Sequence, residues 1–194
     1  THSFAKVVPG AASVAMYSDP NLGLKQIEIE VNNEAQSVKV TVTKYDGKPA
    51  AVLVAKTGKV YQYMQINVSN VAGKISKAKI TAKVEKSWAT SNGVDKNNVV
   101  ISKFDESSNK WNELSTSFAS EDDKYYYYDA EVTSFSYFSI SEKAIAGSDT
   151  SGGTGTGTDG TAGASGEGKS LMWLWIVIGV IVLALIIWAV ARKK

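Results

Sequence analysis

Hydrophobic and polar residues alternate along much of the chain. Ile27, Ile29 and Val31 alternate with Gln26, Glu28 and Glu30; Val38, Val40 and Val42 with Lys39, Thr41 and Thr43; Ile80, Ala82 and Val84 with Thr81, Lys83 and Glu85. A repeat of two predicts β-strands with one buried and one wet face. Such strands belong to antiparallel sheets packed face to face rather than to a parallel α/β core. Turn signals fall at Asn32-Asn33, Asp46-Gly47-Lys48-Pro49, Thr57-Gly58 and Val71-Ala72-Gly73-Lys74. They delimit further strands at 50–55, 60–68 and 75–84, and the same signals predict strands at 99–104, 124–132 and 134–141. Ser87 is placed to cap a short helical turn through Trp88 and Ala89 before Asn92-Gly93, and no long amphipathic helix is visible here. The expected fold class is all-β, an antiparallel β-sandwich over residues 1–143.

The pattern then changes twice. Residues 144–170 are nearly all Gly, Ser, Thr, Ala and Asp, too poor in apolar surface to offset the entropy of ordering them. They predict a flexible linker that holds the preceding domain about 25–30 Å from its other end. From Leu171 to Val190 no residue is charged, and Arg192, Lys193 and Lys194 follow. A helix of that length is ~30 Å long, the thickness of a bilayer's hydrocarbon core, so 171–191 is predicted to be a single transmembrane helix anchored in membrane lipid. A buried core helix is disfavoured because no second apolar helix exists to pack around it. The basic excess lies beyond the span, and Trp173, Trp175 and Trp188 mark its two interfaces. That places 192–194 as a cytoplasmic tail and the N-terminal domain outside the cell. Leu183 stands four residues after Gly179, so the span carries no close-packing dimer signal. Thr1 is not an initiating residue, and the chain reads as a processed or truncated one.

Charge changes the picture only once it is divided. Four of the 21 basic residues are Lys169, Arg192, Lys193 and Lys194, which leaves 17 lysines against all 19 acids in residues 1–168. The folded part is mildly acidic with no basic stripe, which speaks against nucleic acid as a partner. There is no cysteine and the one histidine is His2. Disulfides, thiol chemistry, His-based triads and multi-His metal sites are thereby excluded, and no cofactor is expected. Glu121-Asp122-Asp123 and Asp105-Glu106 lack the ligand spacing of a helical calcium loop and are expected to be solvated turns. Paired carboxylates that could cleave sugars exist in any acidic domain, and nothing in the sequence marks one pair as opposed. No catalytic or metal-binding residue is assigned.

Trp88 and Trp111 are the tryptophans outside the predicted span and are expected to anchor the core. In the run Tyr125-Tyr126-Tyr127-Tyr128 a strand would turn two rings in and two out, and the outward pair is the candidate contact patch. Asn67-Val68-Ser69 is an acceptor triplet for N-glycosylation.

Trp88, Val94-Asp95, 99–104, Trp111, Leu114-Ser115-Thr116, Tyr128-Asp129-Ala130-Glu131 and the closing Phe135-Ser136-Tyr137-Phe138-Ser139-Ile140 together form a pattern. It resembles the PGF-pre-PGF domain of archaeal surface and secreted proteins, over roughly residues 20–142. The resemblance implies a structural or adhesive module and brings no catalytic residue with it. The chain departs from that pattern in having no Pro-Gly-Phe triplet before its apolar span, which favours a retained transmembrane anchor. The expected function is a non-catalytic cell-surface structural or adhesion module whose partner is a surface-layer or envelope protein. Two alternatives stay open: an extracellular carbohydrate-binding or carbohydrate-cleaving domain, and an accessory subunit of a membrane-bound or filament complex.

Overall fold

Residues 1–144 are described by the computed structural model; the predicted span at 171–191 and all but the first residue of the predicted linker lie outside them. Their strands are β1 (His2–Val7), β2 (Ser13–Met16), β3 (Leu24–Val31), β4 (Ala35–Tyr45), β5 (Val60–Ser69), β6 (Ile75–Glu85), β7 (Val99–Asp105), β8 (Lys110–Glu113), β9 (Thr116–Glu121), β10 (Tyr125–Val132) and β11 (Tyr137–Glu142). A short helix α1 (Lys86–Asn92) and a 3-10 turn at Lys96–Asn98 join β6 to β7. Among the described residues no helix is long and apolar enough to cross a membrane.

The strands form two antiparallel sheets, ordered β1-β4-β5-β11-β7-β8 and β2-β3-β6-β10-β9. Their facing sides make one core. Ile27, Ile29, Ile80, Val84 and Tyr128 come from the five-stranded sheet; Val38, Val40, Met64, Ile66, Ile101, Phe138 and Ile140 come from the six-stranded one. This is a two-sheet β-sandwich. Consecutive strands often change sheets. Asn32-Asn33 therefore carries the chain from β3 across to β4 instead of closing a hairpin.

Three local predictions are corrected. Residues 50–55 form no strand, because β5 is already paired on both sides, with β4 and β11, and offers no free edge. Ser87 does not cap α1: the helix begins at Lys86, and Glu85 holds the cap position without a side-chain bond. The helix ends where expected, on Gly93 in the left-handed region with φ 61°, its N–H donating to Thr90 O, a conformation that costs glycine least. Finally, the outer face of β6 is wet at Lys77 but not further along, since Thr81 and Lys83 are buried alongside Ile80, Ala82 and Val84.

One polar side chain ties the sheets together. In β5, Val60 pairs with Ser141 and Gln62 with Ile140, so Tyr61 is the extra residue of a bulge. Gln62 faces inward, in phase with the core residues Met64 and Ile66. Its Oε1 accepts the Gly23 N–H at 2.6 Å, and its Nε2 donates to Asn21 O at 3.0 Å. Gly23 is needed at this approach. A Cβ there would lie 2.9 Å from Ile140 Cδ1 and 3.1 Å from both Gln62 Oε1 and the Tyr61 ring.

The segment between β4 and β5, residues 46–59, lies over the outer side of the six-stranded sheet. Val52 is fully buried, Trp111 Nε1 donates to Val54 O at 2.8 Å, and Lys56 reaches Glu113 at 2.8 Å.

Candidate functional site

The tyrosine run forms the first half of β10, between β6 and β9 in the five-stranded sheet. Tyr126 and Tyr128 fall in phase with Ala130 and Val132 and face the core. Tyr128 is fully enclosed, its hydroxyl donating to Lys96 O at 2.8 Å, while Tyr126 packs half-buried beside Phe118. Tyr125 and Tyr127 point from the outer face, half-buried, with ring centroids 6.3 Å apart.

Three lysines complete this outer strip. The Lys25 ammonium sits 4.2 Å from the centre of the Tyr127 ring; Lys124 and Lys83 sit 5.0 and 5.3 Å from that of Tyr125. An ammonium over an aromatic face is attracted by the ring's negative quadrupole. Lys83 is nearly enclosed, and its Nζ donates to Asp19 O at 2.7 Å. Burial lowers its pKa from the ordinary lysine value. Lys124 is held up, first by its contact with the Tyr125 hydroxyl and then by the Glu85 carboxylate. The strip is amphipathic, with the Glu85 carboxylate beside Lys124 and the Asp122 carboxylate on the Tyr127 hydroxyl.

Asp122 organises one end of it. Its Oδ1 accepts the backbone N–H groups of Lys124 and Tyr125 at 2.9 and 2.7 Å, closing the β9–β10 turn, and its Oδ2 accepts the Tyr127 hydroxyl. That hydroxyl, followed by the two N–H groups, holds the Asp122 carboxyl below its usual range, and the same bond pushes Tyr127 up to about 12. Asp105 plays the same part in the β7–β8 turn, accepting from Ser107 and Ser108. Both acid clusters are thus built into turns. No group of three or more His, Asp or Glu side chains able to hold a metal occurs among the described residues.

Trp88 packs half-buried against the core, edge-on to Tyr61 at 5.0 Å. Trp111 lies half-buried on β8, 5.2 Å from the ring of Phe104 and 5.7 Å from that of Tyr63. Asn67 is exposed on β5, and His2 is half-buried beside Phe4 on β1. Sequence inspection misses Lys25 and Lys83 as partners of the tyrosines, because they come from β3 and β6 and depend on strand register, whereas Lys124 directly precedes Tyr125.

No family model, curated protein or solved structure matches the chain significantly.

Proposed function

We propose that this protein is a membrane-anchored surface module that works by non-covalent contact, without a catalytic step, through the outer face of its five-stranded sheet. The observation that carries the contact site is the pair Tyr125 and Tyr127, neighbouring rings on an outer sheet face with lysine amines set over them. Tyrosine supplies contact area at low entropic cost and a hydroxyl for pairing, which is why it recurs in recognition surfaces. The uncharged run 171–190 followed by three basic residues supports a single-pass anchor with the sandwich outside, and the composition of 144–170 supports a flexible tether. The resemblance to the PGF-pre-PGF domain supports an archaeal envelope setting, with a surface-layer or envelope protein as the partner. Tethering raises the local concentration of sandwich and partner, so modest contacts suffice. Exposed Asn67 in its acceptor triplet fits a glycosylated surface.

Replacing Tyr125 and Tyr127 together by serine should reduce partner capture from native membranes at least about tenfold. The thermal midpoint should change little, because both rings lie outside the core. Unchanged capture would reject the contact site. A full-length chain that stays soluble after gentle lysis would reject the anchoring, whatever the capture result.

A further inference from the structure

The 14 residues between Tyr45 and Val60 are more than a hairpin needs, and they cover an unusual surface. Across the outer side of the six-stranded sheet, strand register sets Tyr63, Ser139, Ser102 and Glu113 side by side on β5, β11, β7 and β8. Lys56 touches both ends of this row: its backbone N–H donates to the Tyr63 hydroxyl at 3.1 Å, and its Nζ reaches Glu113 Oε1 at 2.8 Å. Between those ends, Ser102, Ser139 and the adjacent Ser141 are completely buried, and none of their hydroxyls has a hydrogen-bond partner. Closing the segment thus leaves three polar groups dry and encloses an ammonium whose carboxylate partner remains 27 % exposed. Both are costs that an open segment, with water at the serines and the amine, does not carry. Leu53 meanwhile stands 71 % exposed on the segment itself.

Glu113 does a second thing. The same oxygen that receives Lys56 also accepts the Ala144 N–H at 2.9 Å, at the end of the described chain. Lys56 and Ala144 thus share one acceptor, although they are far apart in sequence.

We propose that residues 46–59 are a strap that opens and closes over the serine row as a unit, and that Glu113 couples its closure to the seating of the chain at Ala144. Each donor holds the Glu113 carboxylate where the other needs it, so release of either loosens its partner, and by linkage the two effects are equal. This is a conformational device beyond the surface-contact function, and it uses neither Tyr125 nor Tyr127.

Amide hydrogen exchange on the full chain in detergent micelles tests it, read at Val52, Lys56 and Ala144, whose N–H groups are bonded to Pro49 O, the Tyr63 hydroxyl and Glu113. In the wild-type protein the three amides should share one opening equilibrium, with the same denaturant dependence and well below that of the core strands. Lys56→Ala should speed exchange at residues 52 and 56 about tenfold and raise it at Ala144 in step. Ser102→Ala and Ser139→Ala should each slow strap exchange about fivefold, since each removes a dry hydroxyl from the closed state. An Ala144 amide indifferent to Lys56→Ala would overturn the coupling. Serine variants that leave strap exchange unchanged or faster would overturn the strap as a cover held shut at a cost. The wild-type comparison decides the matter by itself if a variant fails to fold: unrelated openings at the three amides refute the proposal.

Discussion

Replacing Gln62 by alanine should lower the unfolding free energy by about 3–5 kcal/mol, read as a shift in the denaturant midpoint at unchanged slope. Two effects combine. The buried Gly23 N–H and the part-buried Asn21 carbonyl both lose their partner, beside Ile140 and the Tyr61 ring. Truncation also removes the side chain that fills the gap over a residue with no Cβ of its own. Gln62→Met separates the two, since it keeps the volume and loses both bonds; it should cost about 2 kcal/mol less than alanine if the cavity term matters as much as the bonds. Gly23→Ala should cost less than Gln62→Ala. Its nearest clash is with the flexible end of Ile140, which can shift. If Gln62→Ala were as stable as wild type, the side chain would not be joining the two sheets.

The all-β class was legible because the strands that face the core from the centre of a sheet must alternate. The two phases of β3 and β4 can be read directly from Ile27, Ile29 and Val31 and from Val38, Val40 and Val42. The edge strands β8 and β9 carry no such signal. β9 is open along almost its whole length, and β8 has one half-buried residue, Trp111, so neither shows a period to detect. Residues 50–55 mislead for the opposite reason. Their apolar residues suit a strand, but long-range pairing had already used both edges of β5. The inward pair of the tyrosine run was within reach of the sequence, because Ala130 and Val132 share the phase of Tyr126 and Tyr128. The burial of Lys83 was not. It depends on Tyr125 lying over it and on the carbonyl of Asp19, distant in sequence, receiving its amine. The Lys56–Glu113 contact is hidden in the same way, since it joins residues whose proximity arises only when β8 is added to the sheet edge.

Alkali should unfold the sandwich steeply. Burial raises several phenols, Tyr61 among them, and Tyr17 and Tyr128 the furthest. Tyr128 donates to Lys96 O from within the core, and the Tyr17 hydroxyl is buried with no partner. Burial pushes Tyr17 up to about 12 and Tyr128 higher still, whereas tyrosine in an unfolded chain ionises near about 10. The folded protein thus keeps two protons that the unfolded chain gives up. Their contribution is complete below pH ~10 and is lost as the pH climbs toward the folded values. Each phenol contributes a slope of about 1.4 kcal/mol per pH unit, roughly 3 for the pair, so two units would remove much of a typical domain's stability of about 5–15 kcal/mol. Tyr127 leans the same way, but through its bond to Asp122 on an open face, where solvent weakens the effect. Equilibrium unfolding measured from pH 8 to 12 should show the slope, and single phenylalanine variants should each flatten it by one proton. At neutral pH the two variants should differ. Tyr128→Phe strands the Lys96 carbonyl and should cost about 1 kcal/mol, whereas Tyr17→Phe removes an unpartnered hydroxyl and should be neutral or stabilising. A slope that neither variant alters would place the alkaline transition elsewhere, in the lysine ion pairs that lose their charge over the same range.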